Sequence, residues 1–285
     1  MKLRKLMFVL PNLFTVTSIF CGFYALTLCA GEASPFQLYQ AALAIFFAMF
    51  FDGFDGRVAR LTRTQSQFGV ELDSLADVVS FGAAPAMLVY KWALAPLGFV
   101  GLFLSFAFLA CGALRLARFN VLAQRSPAGG GGRFFVGLPI PLAAGVLVSL
   151  VIAHHVARGE VLSMAARVPI AVAVGALSLL MVSSVRYRTF KDLRLGRSSA
   201  MGLMVVLGGG LFIATQLHPA YVLVAYFSVY LAVGLIESVF LLRSHLVSRR
   251  LAGSGLSAAA LLGDEDDDEE DDGAGTRDDD GPDFL

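Results

Sequence analysis

The chain has 285 residues, of which 57% are hydrophobic and 15% charged, and its mean hydropathy is +0.72. That balance excludes an ordinary soluble enzyme or a nucleic-acid binder and points to a membrane protein. The formal net charge of zero hides an asymmetry: residues 1–263 carry 21 Lys+Arg against 9 Asp+Glu, and residues 264–285 carry 1 against 13.

A spanning helix needs about 20 mostly apolar residues. Lys2, Arg4 and Lys5 precede an apolar run, as in a signal peptide. Pro11-Asn12 interrupts that run, and apolar character then continues to Ala30, too long for a signal-peptide core. A short interfacial helix and an uncleaved first span over 11–30 are therefore expected. Further spans are expected over 38–56, 69–90, 95–114, 138–157, 167–185, 199–217 and 220–242. The fold class read from this pattern is an all-α polytopic membrane bundle of about eight transmembrane helices. One membrane-embedded domain covers 1–245, and 246–285 is a disordered acidic tail, because a run such as "GDEDDDEEDDG" has nothing to bury.

The stretch "SPAGGGGR" (126–133) reads as a flexible loop. Cys21, Cys29 and Cys111 fall within spans and suggest small buried hydrophobes, with no disulfide or zinc framework. His154 and His155 are adjacent, so they leave a helix on different faces and make a poor metal pair. Glu237 reads as an interfacial structural residue.

Cationic placement sets the orientation. Of the 22 lysines and arginines, all but Lys91, Arg158 and Arg167 fall on the side that carries the N-terminus and the loops after spans two, four and six. Both termini are therefore expected in the cytoplasm, in a multi-pass protein of the cell (inner) membrane.

The most informative stretch runs "FFDGFDGRVARLTRTQSQFGVELDSLADVVSFG" (50–82). An ionised aspartate at the centre of a spanning helix costs about 2.5–3.5 kcal/mol on insertion scales, and this stretch holds Asp52, Asp55, Asp73 and Asp77. Asp52 and Asp55 are spaced i, i+3, with Gly56 and Ala59 extending the face. Gly69, Asp73 and Asp77 are spaced i, i+4, i+8 on the next span. A short connection brings the two faces together near the cytoplasmic surface. Four carboxylate oxygens suit Mg²⁺, Mn²⁺ or Ca²⁺ rather than soft metals. A pair of such ions about 3.5–4 Å apart can steady both attacking and leaving oxygens in phosphoryl chemistry. The small residues leave room for a bulky ligand. Ion pairing with Arg57, Arg60 and Arg63 would not require this regular spacing, and an EF-hand does not fit the ligand pattern.

The pattern Asp52-x2-Asp55-Gly56-x2-Ala59-Arg60-x8-Gly69-x3-Asp73-x3-Asp77 resembles the signature of the CDP-alcohol phosphatidyltransferases at every defined position. The resemblance implies a polytopic enzyme that moves a phosphatidyl group from a CDP-linked lipid to an alcohol and releases CMP. It implies two divalent ions, Mg²⁺ or Mn²⁺, on Asp52, Asp55 and Asp73. Asp77 is implied as a further metal ligand or as general base, and Gly56, Ala59, Arg60 and Gly69 as nucleotide-binding residues. The stretches "LPNLFTVTSIFCGF" (10–23), "SFGAAPA" (80–86), "ALRLARFNV" (113–121), "FVGLPIPLAAG" (135–145) and "SSVRYRTFKDL" (183–193) resemble the phosphatidylserine synthase branch. They add Asn12, Thr15, Arg115 and Arg118 as substrate-binding candidates; the two arginines lie on one helix face where a lipid phosphate or serine carboxylate would need donors.

The implied partners are CDP-diacylglycerol, L-serine and membrane lipid, with no nucleic acid; a homodimer is compatible with this reading. The rivals are a family member acting on glycerol phosphate or inositol phosphate, an intramembrane prenyltransferase, and a cation transporter. Prenyltransferase acidic motifs are widely separated in the chain, whereas 17 residues lie between Asp55 and Asp73. A transporter leaves Gly56, Ala59 and Arg60 unexplained.

Overall fold

Helix follows helix from the N-terminus: α1 (Lys2–Cys29), α2 (Pro35–Thr62), α3 (Gln67–Asp77), α4 (Ala84–Val89), α5 (Phe99–Arg125), α6 (Ile140–Ala157) and α7 (Met164–Val182), then α8 (221–229). This computed structural model describes residues 2–62, 64, 66–125, 134–157, 162–183, 186–188 and 221–229, all within one compact unit, Met1–Val239. The expected span over 199–217, most of that over 220–242, the loop 126–133, Glu237, Arg158 and the acidic tail lie outside the described residues.

Five described helical stretches are long and apolar enough to cross a membrane: Pro11–Cys29, Gln67–Leu97, Phe99–Leu122, Ile140–Ala157 and Met164–Val182. Their outward faces are apolar. Phe20 and Phe23 on α1, Phe103 and Phe106 on α5, and Val172 and Leu179 on α7 are all more than half exposed. A protein in water would not leave so much contiguous apolar surface uncovered. With its spanning stretches wound into helices, which bond most of their backbone internally, the bundle suits a lipid surround. The chain is therefore a multi-pass membrane protein. The helix α2 falls outside the five, because its C-terminal third carries Asp52, Asp55, Arg57 and Arg60.

Boundaries differ from the sequence reading in instructive ways. The helix α1 runs unbroken through Pro11, where an interfacial helix followed by a separate span was expected. Proline removes only one ladder bond, and packing along α2 outweighs it. The helix α2 continues beyond position 56 to Thr62, so only residues 63–66 connect it to α3. The third span reaches Leu97, through π-helical turns at Val78–Ala83 and Tyr90–Leu94. Pro85 has no N–H to offer Phe81, and that missing bond favours the wider turn just before it. Gly98, at φ +61°, then turns the chain into α5, so the fourth span begins at Phe99 rather than at 95.

One feature departs from an all-helical fold. Phe134–Val136 and Arg186–Arg188 pair as a three-residue antiparallel ribbon, β1 and β2, with Phe135 opposite Tyr187. It ties the segment before α6 to the segment after α7.

The core is built from small side chains that let helices approach closely: Ala41, Ala42, Ala44 and Ala48 on α2, Ala25 and Cys29 on α1, and Ala143 and Ala144 on α6. All three cysteines are free. The helices also approach closely between α1 and the third span, where a Cβ at Gly22 would lie 2.7 Å from Ser80 Cα. Ser80 Oγ donates to Ser18 O across the same seam at 2.9 Å. Gly22→Ala is thus expected to destabilise the protein by about 1–3 kcal/mol, as overpacking does. A lowered thermal midpoint in detergent checks this; an unchanged one contradicts the seam described.

Candidate active site

The helical period brings all four aspartates together. Asp52 and Asp55 project from the last turns of α2, and Asp73 and Asp77 from α3. Ser66 starts α3: its backbone is extended and its Oγ accepts the Gly69 N–H at 3.1 Å, satisfying a donor that the first helical turn leaves over. That cap fixes where α3 begins and therefore which face carries Asp73 and Asp77.

The carboxyls meet across the two helices as pairs within hydrogen-bonding range, Asp52 with Asp77 and Asp55 with Asp73. Asp52, Asp55 and Asp73 each offer an oxygen within 4.8 Å of the others. Asp55 is buried, at 6% exposure, and is held from two directions. Thr15 Oγ1 on α1 donates to its Oδ2 at 2.8 Å, and the Gly56 N–H donates to its Oδ1. Thr15 Oγ1 also lies 3.2 Å from Pro11 O, but a hydroxyl has one proton to give, and the shorter contact to a carboxylate takes it.

Asp77 Oδ1 is buried with no hydrogen-bond partner. Arg115, buried on α5, exerts its charge on Asp77, and its own Nε is buried without a partner. Among the described residues no cation lies within 4.0 Å of any of these carboxylates, so ion pairs with Arg57 and Arg60 are not built; Arg63, the third arginine of that alternative, lies outside the described residues. An all-oxygen, densely negative set with an orphaned buried oxygen fits a hard divalent cation.

A cleft of about 490 Å³ opens beside the carboxylates between α1, α2 and α3. Asp55 and Asp73 form part of its wall, together with Asn12, Thr15, Gly56, Ala59, Arg60 and Gly69. Every small residue of the sequence pattern thus faces the same space. A Cβ on Gly56 would point at the Arg60 guanidinium, 4.0 Å away, and one on Gly69 would lie 3.2 Å from Ser66 Oγ and 3.6 Å from Asn12 Oδ1. Asp52 and Asp77 sit about one turn deeper along their helices.

The two arginines of α5 part company. Arg115 turns inward to the aspartates, whereas Arg118 is exposed and donates to Val182 O at the end of α7, at 3.5 Å. Further residues of this site are not among the candidates read from the sequence. Thr64 and Gln67 line the cleft, and Asn120 Nδ2 donates to Ser74 Oγ at 2.9 Å, tying α5 to α3. Ser66 could have been found as an N-cap, from a serine directly ahead of an amphipathic stretch. At the far end of the bundle His154 Nδ1 accepts from Trp92 Nε1 at 3.4 Å, and His155 stacks on Tyr39 with ring centroids 4.4 Å apart.

The family described as CDP-alcohol phosphatidyltransferase matches residues 8–237. The chain belongs to that family. The phosphatidyltransferase match covers the described elements from residue 8 of α1 onward and stops short of the acidic tail. Among curated relatives, the CDP-diacylglycerol–serine O-phosphatidyltransferase of Helicobacter pylori is 34% identical over 239 residues, 83% of this chain and 93% of that one. The enzyme of the same name from Bacillus subtilis is 36% identical over 184 residues, 64% of this chain and 91% of that one. The archaetidylserine synthase of Methanothermobacter thermautotrophicus is 36% identical over 180 residues, 62% of this chain and 69% of that one. This phosphatidyltransferase therefore aligns over most of its length with relatives of its transferase class whose names specify serine.

Proposed function

We propose that this chain transfers the phosphatidyl group of CDP-diacylglycerol to L-serine, giving phosphatidylserine and CMP. The observation that carries the reading is the meeting of four carboxylates beside an open cleft, in a chain whose relatives carry this activity in their names. The serine hydroxyl oxygen attacks the lipid-bearing phosphorus, the bond from that phosphorus to the CMP oxygen breaks, and the hydroxyl proton passes to a carboxylate. Asp77 Oδ1 is the oxygen we assign to that proton, because it has no other partner and a neutral hydroxyl needs an adjacent base.

Asp52, Asp55, Asp73 and Asp77 would hold two divalent ions, Mg²⁺ or Mn²⁺. When bound, these neutralise the diphosphate and the charge that develops on the departing CMP oxygen. Gly56, Ala59 and Gly69 keep the cleft open for the nucleotide, while Arg60 and Asn12 at its wall offer donors to phosphate and base. Arg115 steadies Asp77. The acyl chains stay in the bilayer beside the exposed apolar faces of α1 and α2. The same reading places eight spans in the inner membrane with both termini and the site on the cytoplasmic side, a membrane domain over 1–245, and an acidic tail outside catalysis.

An acceptor panel tests the proposal: CMP release from CDP-diacylglycerol is measured with serine, glycerol phosphate and inositol phosphate in turn. Serine alone is expected to drive release, and release driven by a phosphorylated acceptor would move the chain to another branch of the family.

Thr15 acts through Asp55, so its removal is expected to show in metal dependence. Thr15→Val keeps the shape and deletes the 2.8 Å bond. The metal concentration for half-maximal activity should rise by about 10–100-fold, the usual effect of losing a group that orients a ligand. An unchanged metal dependence with normal turnover removes Thr15 from the machinery.

A further inference from the structure

At the end of the bundle opposite the aspartates a second cavity, of about 260 Å³, opens among the start of α2, the end of the third span, the end of α6 and the start of α7. Pro35 at its wall precedes Asp52 by 17 residues on the same helix, which puts the two sites roughly 25 Å apart along the axis. Lys91, Trp92, His154, His155 and Arg167 line it, and no acidic side chain does. Positive charge is scarce at this end: the sequence assigns only Lys91, Arg158 and Arg167 to it. The fold gathers two of those three around one cavity.

Among the described residues neither cation meets a carboxylate. Lys91 Nζ donates to Gly31 O at 2.6 Å, and Arg167 Nε and Nη2 both donate to Leu162 O, at 3.1 and 3.0 Å. Those acceptors are uncharged carbonyls, and no carboxylate lies within 4.0 Å of either cation among the described residues. Arg167 is nevertheless 9% exposed. A charge this buried is ordinarily paired, and the described cavity wall supplies no anion for it.

We propose that it binds the phosphate group of an anionic phospholipid headgroup from the adjoining leaflet. A lysine and an arginine converging on one space supply charge-assisted donors for a tetrahedral oxyanion. A lipid is favoured over a free anion because apolar side chains next to cavity residues in sequence are exposed. Phe36, beside Pro35, and Val168, beside Arg167, are 58% and 57% exposed, a surface on which acyl chains can lie. Trp92 sits where an amphipathic ring marks a membrane–water boundary.

Trp92 is also the one tryptophan of the chain, so its fluorescence reports on this cavity and no other place. Full-length protein in an uncharged detergent is titrated with phosphatidylglycerol, with phosphatidylcholine and with inorganic phosphate. A saturable change in Trp92 emission is expected with phosphatidylglycerol and with neither of the others. Its midpoint should move at least about tenfold to higher lipid in Lys91→Gln and in Arg167→Gln, the loss of one charge-assisted contact. Each variant also removes bonding to a backbone carbonyl, of Gly31 for Lys91 and of Leu162 for Arg167, so each is read only with a monodisperse gel-filtration peak showing that it is folded. The proposal is overturned if phosphatidylglycerol gives no saturable change, if phosphatidylcholine or inorganic phosphate gives an equal one, or if folded Lys91→Gln binds as the parent does.

Discussion

Asp77→Asn is expected to reduce turnover by about 10²–10⁴-fold, the range that general-base catalysis supplies, while CDP-diacylglycerol still binds in the presence of metal. The amide has the size and hydrogen-bonding capacity of the carboxyl but cannot accept the serine proton. Asp77 Oδ1 is buried and unpartnered, so the group is poised for a partner the protein does not provide. Its neighbours also matter: Asp52 meets it from α2, and Arg115 faces it from α5. CDP-lipid affinity and kcat, measured side by side at saturating serine, separate the roles. Near-normal turnover in the variant removes the base assignment. Loss of substrate binding together with turnover makes Asp77 chiefly a metal ligand.

Asp52→Asn and Asp73→Asn should behave differently, weakening metal and nucleotide binding together. Each contributes an oxygen to the set that lies within 4.8 Å, and an amide in place of a charged ligand lowers the field that holds a hard cation. Chelation should have the larger effect of the two manipulations and abolish activity, with Mg²⁺ or Mn²⁺ restoring it. The physical reason is that the paired carboxyls otherwise repel one another with no cation in contact among the described residues, and a CDP-lipid brings two further phosphate charges. Full turnover in excess EDTA would refute the metal assignment outright.

Much of this site was legible because a helix repeats. The i, i+3 and i, i+4 spacings place Asp52 with Asp55 and Asp73 with Asp77, and the short connection leaves the pairs little choice but to meet. The small residues Gly56, Ala59 and Gly69 follow from the same period. What escaped depends on contacts between distant segments. Nothing local to Thr15 says that its hydroxyl reaches Asp55, 40 positions away. Nor does periodicity separate Arg115 from Arg118: both lie near one face of α5, yet the end of α7 captures Arg118 through Val182 O. The β1–β2 ribbon is three residues on each side, too short for alternation to stand out. Span ends moved because apolar content does not register helical continuation through polar turns, as in α2 to Thr62, or a φ-positive stop such as Gly98.

The most direct measurement follows one oxygen atom. Purified full-length protein is given CDP-diacylglycerol, Mg²⁺ or Mn²⁺, and L-serine carrying ¹⁸O in its hydroxyl, and both products are weighed by mass spectrometry. The expected outcome is phosphatidylserine that retains the ¹⁸O and CMP that contains none, because the serine oxygen forms the new bond to the lipid phosphorus and the old bridging oxygen leaves with CMP. Phosphatidylserine without the label, label in CMP, or no serine-containing lipid at all would contradict serine attack on the phosphatidyl phosphorus.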